Sequence, residues 1–187
     1  PHPRIITNLP SALDNDTYDL IILAVKSFHT SAAVGALQST SSQIPPVLSL
    51  QNGVDNEAML ADTLGIDHVI PGTLTTAVSS PEVGVMVVEK HRGIGLAAEH
   101  PLSPQIMQAF SAAGFHTMLY RNTHAMKWSK LLTNMLANAN AAICDLSPEA
   151  IFAHDRLFEL EITALRETMA VMHTMGIPVV RLPGTPS

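Results

Sequence analysis

The chain has 187 residues, of which 47% are hydrophobic and 14% are charged, so it can bury a substantial core and is not disordered. Its formal net charge is −6, with no offsetting cluster of Lys and Arg, which argues against nucleic acid or an anionic membrane surface as a partner. The single cysteine, Cys144, excludes an intrachain disulfide, and nine His without ligand spacing predict no metal site. We expect a reducing, cytoplasmic location.

The first 80 residues alternate between apolar runs of strand length and helical patterns. The apolar runs at 19–26 and 47–50 are typical of central strands in a parallel sheet that is covered on both faces. A helix is predicted over 56–64, ending at Gly65, and a third strand begins at 68–70. This alternation predicts βαβ units with right-handed crossovers.

The pattern then changes up to residue 120. Residues 83–89 and 93–98 are predicted to be two strands joined as a hairpin by a short polar turn. A helix is predicted over 103–113 and a last strand over 115–120.

Strand signals stop near Arg121, where we place a domain boundary. Two long amphipathic helices are predicted beyond it, over about 123–143 and 155–175. The predicted fold is therefore α/β over residues 1–120, with a partial Rossmann-like parallel sheet and an antiparallel hairpin, followed by an all-α domain over residues 121–187.

The first of these long helices carries a polar row, formed by Lys130, Asn134 and Asn138 at four-residue steps. Asn is a poor residue inside a helix, at about 0.5–0.7 kcal/mol relative to Ala, so Asn→Ala changes are expected to stabilise the helix slightly. An ammonium and two carboxamides suit a small ligand with carbonyl, hydroxyl or carboxylate oxygens. The alternative is a solvated helix face. The apolar residues predicted to face the core from the same helix are Trp128, Leu131, Leu132, Met135, Leu136, Ala139 and Ile143.

Two further polar residues follow predicted strands of the parallel sheet. Lys26 and Asn52 come at the carboxyl ends of consecutive strands, where ligands of open α/β sheets bind. The alternatives are a strand-end charge in water for Lys26 and an ordinary turn for Asn52-Gly53. The glycine pattern at residues 93–98 is not interpreted as a nucleotide loop, because no helix follows it.

Four blocks of the sequence resemble one family of enzymes. Residues 19–26, 51–53, 71–73 and 127–138 are similar, in order and spacing, to the 2-dehydropantoate 2-reductases, also called ketopantoate reductases. The most specific block is Trp-x-Lys-Leu-x-x-Asn, with a second Asn four residues later. The family reduces 2-dehydropantoate, a small 2-oxo acid, to pantoate with NADPH, on the route to pantothenate and coenzyme A.

The resemblance implies a role for each candidate residue. Lys130 is the proton donor to the ketone oxygen, and Asn134 and Asn138 bind the substrate. Asn52 contacts both substrate and cofactor, and Lys26 lies beside the cofactor. Residues 1–120 correspond to the C-terminal part of a dinucleotide-binding domain. Residues 121–187 correspond to the start of a helical domain for substrate binding and dimerisation, so a homodimer is one expected assembly.

The chain also departs from the family pattern at both ends. Family members begin with a strand and a Gly-x-Gly-x-x-Gly turn before the position of Asp19, and they continue past Gly176 with helices that supply a Ser and an acidic residue. We therefore expect the 187-residue chain alone to bind NADPH weakly and not to turn over. Two alternatives stay open: another 2-oxo acid or polyol-phosphate dehydrogenase of the same plan, and an interaction module without the cofactor's phosphate loop.

Overall fold

The computed structural model describes residues 4–40 and 43–185. The strands are β1 Ile21–Leu23, β2 Val47–Ser49, β3 Val69–Leu74, β4 Ala77–Ser79, β5 Val87–Lys90, β6 Gly93–Ala97 and β7 His116–Tyr120. The α-helices are α1 Leu9–Asn15, α2 Thr30–Gln38, α3 Asn56–Leu64, α4 Ser103–Ala112, α5 Thr123–Met135, α6 Asn138–Cys144, α7 Pro148–Ala153 and α8 Asp155–Thr174. Single 3₁₀ turns cover Ser27–His29 and Ile66–His68.

Five strands form one mixed sheet in the order β1-β2-β3-β6-β7. Strands β1, β2 and β3 are parallel, β6 is antiparallel to β3, and β7 is parallel to β6. A separate antiparallel hairpin joins β4 and β5. The α/β class, with a parallel sheet and an antiparallel hairpin, is therefore confirmed.

Side chains alternate between the two faces of the sheet along each strand, and helices pack against both faces. Val47 and Val69 pack against α1, α2 and α3, whereas the next residues, Leu48 and Ile70, pack against α4. Each such side chain contributes about 1.5–3 kcal/mol relative to full exposure. Burial on both faces explains the continuous apolar runs of β2 and β3. The prediction that residues 19–26 form a central strand buried on both faces is wrong for the described sheet, because β1 is its first strand and Ile22 is 51% exposed.

The predicted pairing of residues 83–89 with 93–98 is wrong. Strand β5 pairs with β4, while β6 lies inside the main sheet between β3 and β7. Every residue of β6 is buried and every residue of β5 is exposed, so β6 lies in the core of the main sheet and β5 lies at the surface. A side chain at Gly95 of β6 would clash with its neighbours, because its Cβ would lie 2.7 Å from the Tyr120 ring and 3.0 Å from the Met126 sulfur. Gly95 therefore allows β6 to pack closely against Tyr120 and Met126. This structural role agrees with the prediction that the glycine pattern at residues 93–98 is not a nucleotide loop.

The predicted single helix over 123–143 is also wrong. Helix α5 ends at Met135, and α6 begins at Asn138 after Ala137, whose φ of 60° is left-handed. The predicted core-facing stripe does not hold along its length either, because Ile143 is 80% exposed. The face of α5 that is buried consists of Ala125, Met126, Lys127 and Ser129.

The second long helix, α8, agrees with its prediction to within one residue at its C-terminal end. Within the ranges described, no helix has both the length and the hydropathy needed to cross a bilayer.

The segment after α8 returns to the sheet. Leu182 is buried against Tyr120 and Met126. The Tyr120 hydroxyl donates a hydrogen bond to the Arg181 carbonyl at 2.7 Å, and the Val180 N–H donates to Ser129 Oγ at 2.9 Å. These contacts hold the start of α5 between the sheet and the end of the chain.

Candidate active site

Two of the candidate residues meet where α5 passes the end of β2. Asn134 Nδ2 donates a hydrogen bond to Asn52 Oδ1 at 3.0 Å, although the residues are 82 positions apart. Asn52 follows β2 and lies at the carboxyl edge of the parallel strands, while Asn134 lies in the last turn of α5. This hydrogen bond joins the edge of the sheet to the helix that carries the polar row.

Lys130 lies one turn before Asn134 on α5 and is partly buried. Burial lowers the pKa of its ammonium, and the positive charge of Arg92 lowers the pKa further. Arg92 precedes β6 and is distant from α5 in sequence, so the sequence pattern did not identify it as a neighbour. A lysine with a lowered pKa gives up a proton more readily, which suits a general acid.

Asn138 is the first residue of α6 and not the fourth residue further along α5. Its Nδ2 donates to the Asn134 carbonyl at 2.6 Å and so satisfies one of the free carbonyls at the end of α5. Its side chain is exposed, and within residues 4–40 and 43–185 its Oδ1 accepts no hydrogen bond. Asn138 therefore lies beside Asn134, as predicted. It is held there by a side-chain hydrogen bond across the break between α5 and α6, and not by the four-residue repeat of one continuous helix.

Lys26 follows β1 at the same sheet edge as Asn52. Its side chain is exposed and forms neither a hydrogen bond nor an ion pair with any residue that the structure describes. The loops after β1 and β2 are joined by Gln51, whose Nε2 donates to Val25 O at 2.9 Å and to Thr30 Oγ1 at 2.8 Å. Lys26 is thus near the predicted cofactor edge, while its ammonium is free to move.

Sequence reasoning missed a buried ion pair below the site. Lys127 Nζ lies 2.8 Å from Glu57 Oε1 and also donates to the carbonyls of Gln51 at 2.7 Å and Gly72 at 3.3 Å. Ser49 Oγ donates to the same Glu57 oxygen at 2.7 Å. A charged residue on a helix usually lies in water, so nothing in the local pattern indicated that Lys127 is buried.

The donor set is suited to binding a small oxygen-rich molecule. Lys130 provides an ammonium, and Asn52, Asn134 and Asn138 provide carboxamides. Among the residues described, no three His, Cys, Asp or Glu side chains are grouped so that they could hold a metal ion. Lys26 and Asn52 follow β1 and β2 at the carboxyl edge of the parallel strands, where ligands of open α/β sheets bind. A Gly-rich turn before a helix, which would hold the phosphates of a dinucleotide, does not occur in the described loop after β1.

Comparisons with known families agree with this fold. The family model described as "Ketopantoate reductase PanE/ApbA" matches residues 2–98, more than half of the chain. The model described as "Ketopantoate reductase PanE/ApbA C terminal" matches residues 122–183. The chain therefore belongs to the ketopantoate reductase family.

Individual relatives are named as 2-dehydropantoate 2-reductases or ketopantoate reductases. A 2-dehydropantoate 2-reductase of Halobacterium salinarum is 30% identical over 171 residues, which are 86% of this chain and 54% of that protein. One of Pyrococcus horikoshii is 29% identical over 179 residues, 93% of this chain and 58% of that protein. The crystal structure of a PanE/ApbA family ketopantoate reductase from Ralstonia eutropha JMP134 superposes with a TM-score of 0.80 at 25% identity, covering 92% of this chain and 56% of that one. The chain thus spans just over half the length of these relatives.

Proposed function

We propose that the whole protein containing this chain reduces 2-dehydropantoate to pantoate, with NADPH as the hydride donor. The observation that carries the proposal is the hydrogen bond between Asn52 and Asn134, which brings the last turn of α5 next to the carboxyl edge of the sheet. Family membership supports the same reaction. Bound NADPH would supply the hydride that is added to the ketone carbon.

Lys130 is assigned the proton transfer. Addition of hydride to the ketone carbon leaves an alkoxide, which needs one proton to become the alcohol. The ammonium of Lys130 stabilises the developing negative charge and then donates this proton from Nζ. Because its pKa is lowered by burial and by Arg92, the transfer costs less than it would from an exposed lysine.

The carboxamides are assigned to orientation. Asn134 and Asn138 bind the hydroxyl and carboxylate groups of the substrate without adding charge, and Asn52 would contact both the substrate and the nicotinamide of bound NADPH. Lys26 lies on the cofactor side. Holding the ketone beside the hydride donor makes the reaction effectively intramolecular, which lowers its barrier.

The same proposal assigns roles to the two parts of the chain. Residues 1–120 form the C-terminal part of a dinucleotide-binding domain, and residues 121–187 begin a helical domain for substrate binding and dimerisation. The substrate lies between the sheet edge and α5.

The test is NADPH oxidation by the whole protein, followed by absorbance. Equal concentrations of 2-dehydropantoate, its analogue without the hydroxyl group, and other 2-oxo acids are compared, each with NADPH and with NADH. We expect the highest kcat/KM with 2-dehydropantoate and NADPH. A higher kcat/KM with another 2-oxo acid would show that 2-dehydropantoate is not the substrate, while the reaction type would stand. Absence of turnover with every 2-oxo acid would reject the reductase assignment.

A further inference from the structure

The break between α5 and α6 lies inside the candidate site. It separates Asn134, in the last turn of α5, from Asn138, the first residue of α6. At its centre, Ala137 has φ 60° and ψ −18°, a left-handed conformation in which its Cβ is crowded. Neither Gly nor Pro occurs between residues 123 and 144, so neither of the residues that most often interrupt a helix accounts for the break.

A glutamate from α8 provides hydrogen-bond acceptors at the break between α5 and α6. Glu161 is only 3% exposed and reaches the first turn of α6. Its Oε2 accepts a hydrogen bond from the Ala137 N–H at 2.9 Å, and its Oε1 accepts one from Asn140 Nδ2 at 2.7 Å. Across the residues described, no cationic side chain pairs with this carboxylate, so these N–H groups carry its stabilisation.

The break changes which group of Asn138 satisfies the end of α5. In a continuous helix, the Asn134 carbonyl would accept from the backbone N–H of Asn138, four residues later. In the structure it accepts instead from Asn138 Nδ2 at 2.6 Å. The side-chain amide of Asn138 is therefore held in one orientation by the break, and it would be released if the two helices joined.

We propose that Glu161 is a positioning residue that keeps α5 and α6 apart and thereby orients Asn138 in the site. Removing the carboxylate leaves Ala137 in a strained conformation without compensation. The two helices then join into the single helix that the residue pattern itself favours. Substrate binding weakens because Asn138 turns, whereas proton transfer is less affected because Lys130 and the Asn52–Asn134 hydrogen bond precede the break.

The substrate part of this inference rests on the proposed function, and the helix break does not. The experiment therefore measures both in the whole protein. Hydrogen exchange reports protection of the backbone amides at residues 136–139, and steady-state kinetics with 2-dehydropantoate report KM and kcat. The variants are Glu161→Leu and Glu161→Gln, with Glu167→Gln, an exposed position on the same helix, as the matched control.

For Glu161→Leu we expect stronger protection of these amides and a rise in KM of about tenfold, which corresponds to about one oriented hydrogen bond. The change in kcat should be smaller. Glu161→Gln keeps one acceptor oxygen and should fall between Glu161→Leu and wild type. The control, Glu167→Gln, should match wild type in hydrogen exchange, KM and kcat.

A rescue variant keeps the test valid if Glu161→Leu folds poorly. Gly adopts the left-handed conformation without a Cβ clash, so Ala137→Gly in the Glu161→Leu background should restore both folding and KM. Unchanged exchange and unchanged KM in Glu161→Leu would overturn the proposal, and so would a failure of glycine to rescue. If wild type does not turn over 2-dehydropantoate, the proposed function fails, while exchange still decides whether Glu161 holds the break.

Discussion

The ammonium of Lys127 lies 2.8 Å from the carboxylate of Glu57, and the two side chains are only 4% and 11% exposed. The pair joins α5 to α3, and Lys127 also donates to the carbonyl of Gln51, the residue before Asn52. The position of Asn52 relative to α5 therefore depends on a buried charge from α5 itself.

The first prediction concerns this ion pair. Lys127→Met leaves the Glu57 carboxylate buried without its cation, and we expect a loss of about 3–5 kcal/mol in the free energy of unfolding. Urea denaturation measures it. The double variant Lys127→Met/Glu57→Leu removes both charges and should recover a large part of that loss. A single variant within about 1 kcal/mol of wild type would show that the pair does not hold α5 in place.

The second prediction concerns the proton donor. Lys130→Ala in the whole protein should lower kcat by about 10²–10⁴, the range for losing a positioned general acid. The matched control is Lys90→Ala, an exposed lysine at the end of β5, which should leave kcat unchanged. If kcat of Lys130→Ala stays within a few-fold of wild type, another group protonates the alkoxide.

The third prediction concerns pH. Lys130 donates a proton only in its charged form, so the rate of reduction should fall as pH rises through its pKa, and this decline should begin below the pH expected for an ordinary lysine. Arg92→Gln removes the nearby positive charge and raises the pKa of Lys130, so the decline should move to higher pH. Profiles of log kcat against pH for the two proteins measure the shift, and identical profiles would contradict it.

The fourth prediction concerns Asn138. Helix propensity alone predicted that Asn138→Ala would stabilise the protein by up to about 0.5 kcal/mol. The structure reverses the expected sign, because Asn138 caps the end of α5 and the variant loses that hydrogen bond, worth about 0.5–1.5 kcal/mol. Thermal unfolding measures the sign directly. Asn140→Ala is a useful comparison, since it removes the neighbouring bond to Glu161 but leaves the α5 cap.

Much of the sheet could be predicted from local pattern. Strands β2 and β3 are apolar runs because both faces of the sheet are covered there, and α3 ends at Gly65, whose φ of 89° needs glycine. Asn52 and Asn134 could be predicted to approach each other, because strand ends and the following helical segment form the cleft of such folds.

The sequence by itself determined the α/β class, the positions of most elements and the residues of the polar row, since these depend on periodicity and on neighbours within a few residues. Tertiary structure alone decided the partners of β6, the burial of Lys127 and the break before Asn138. Each depends on a group far along the chain: Glu57 is 70 residues from Lys127, and Glu161 is 24 residues from Ala137. The apolar periodicity predicts a continuous helix over 123–143, and the hydrogen bonds of the buried Glu161 carboxylate outweigh it because such bonds are strong away from water.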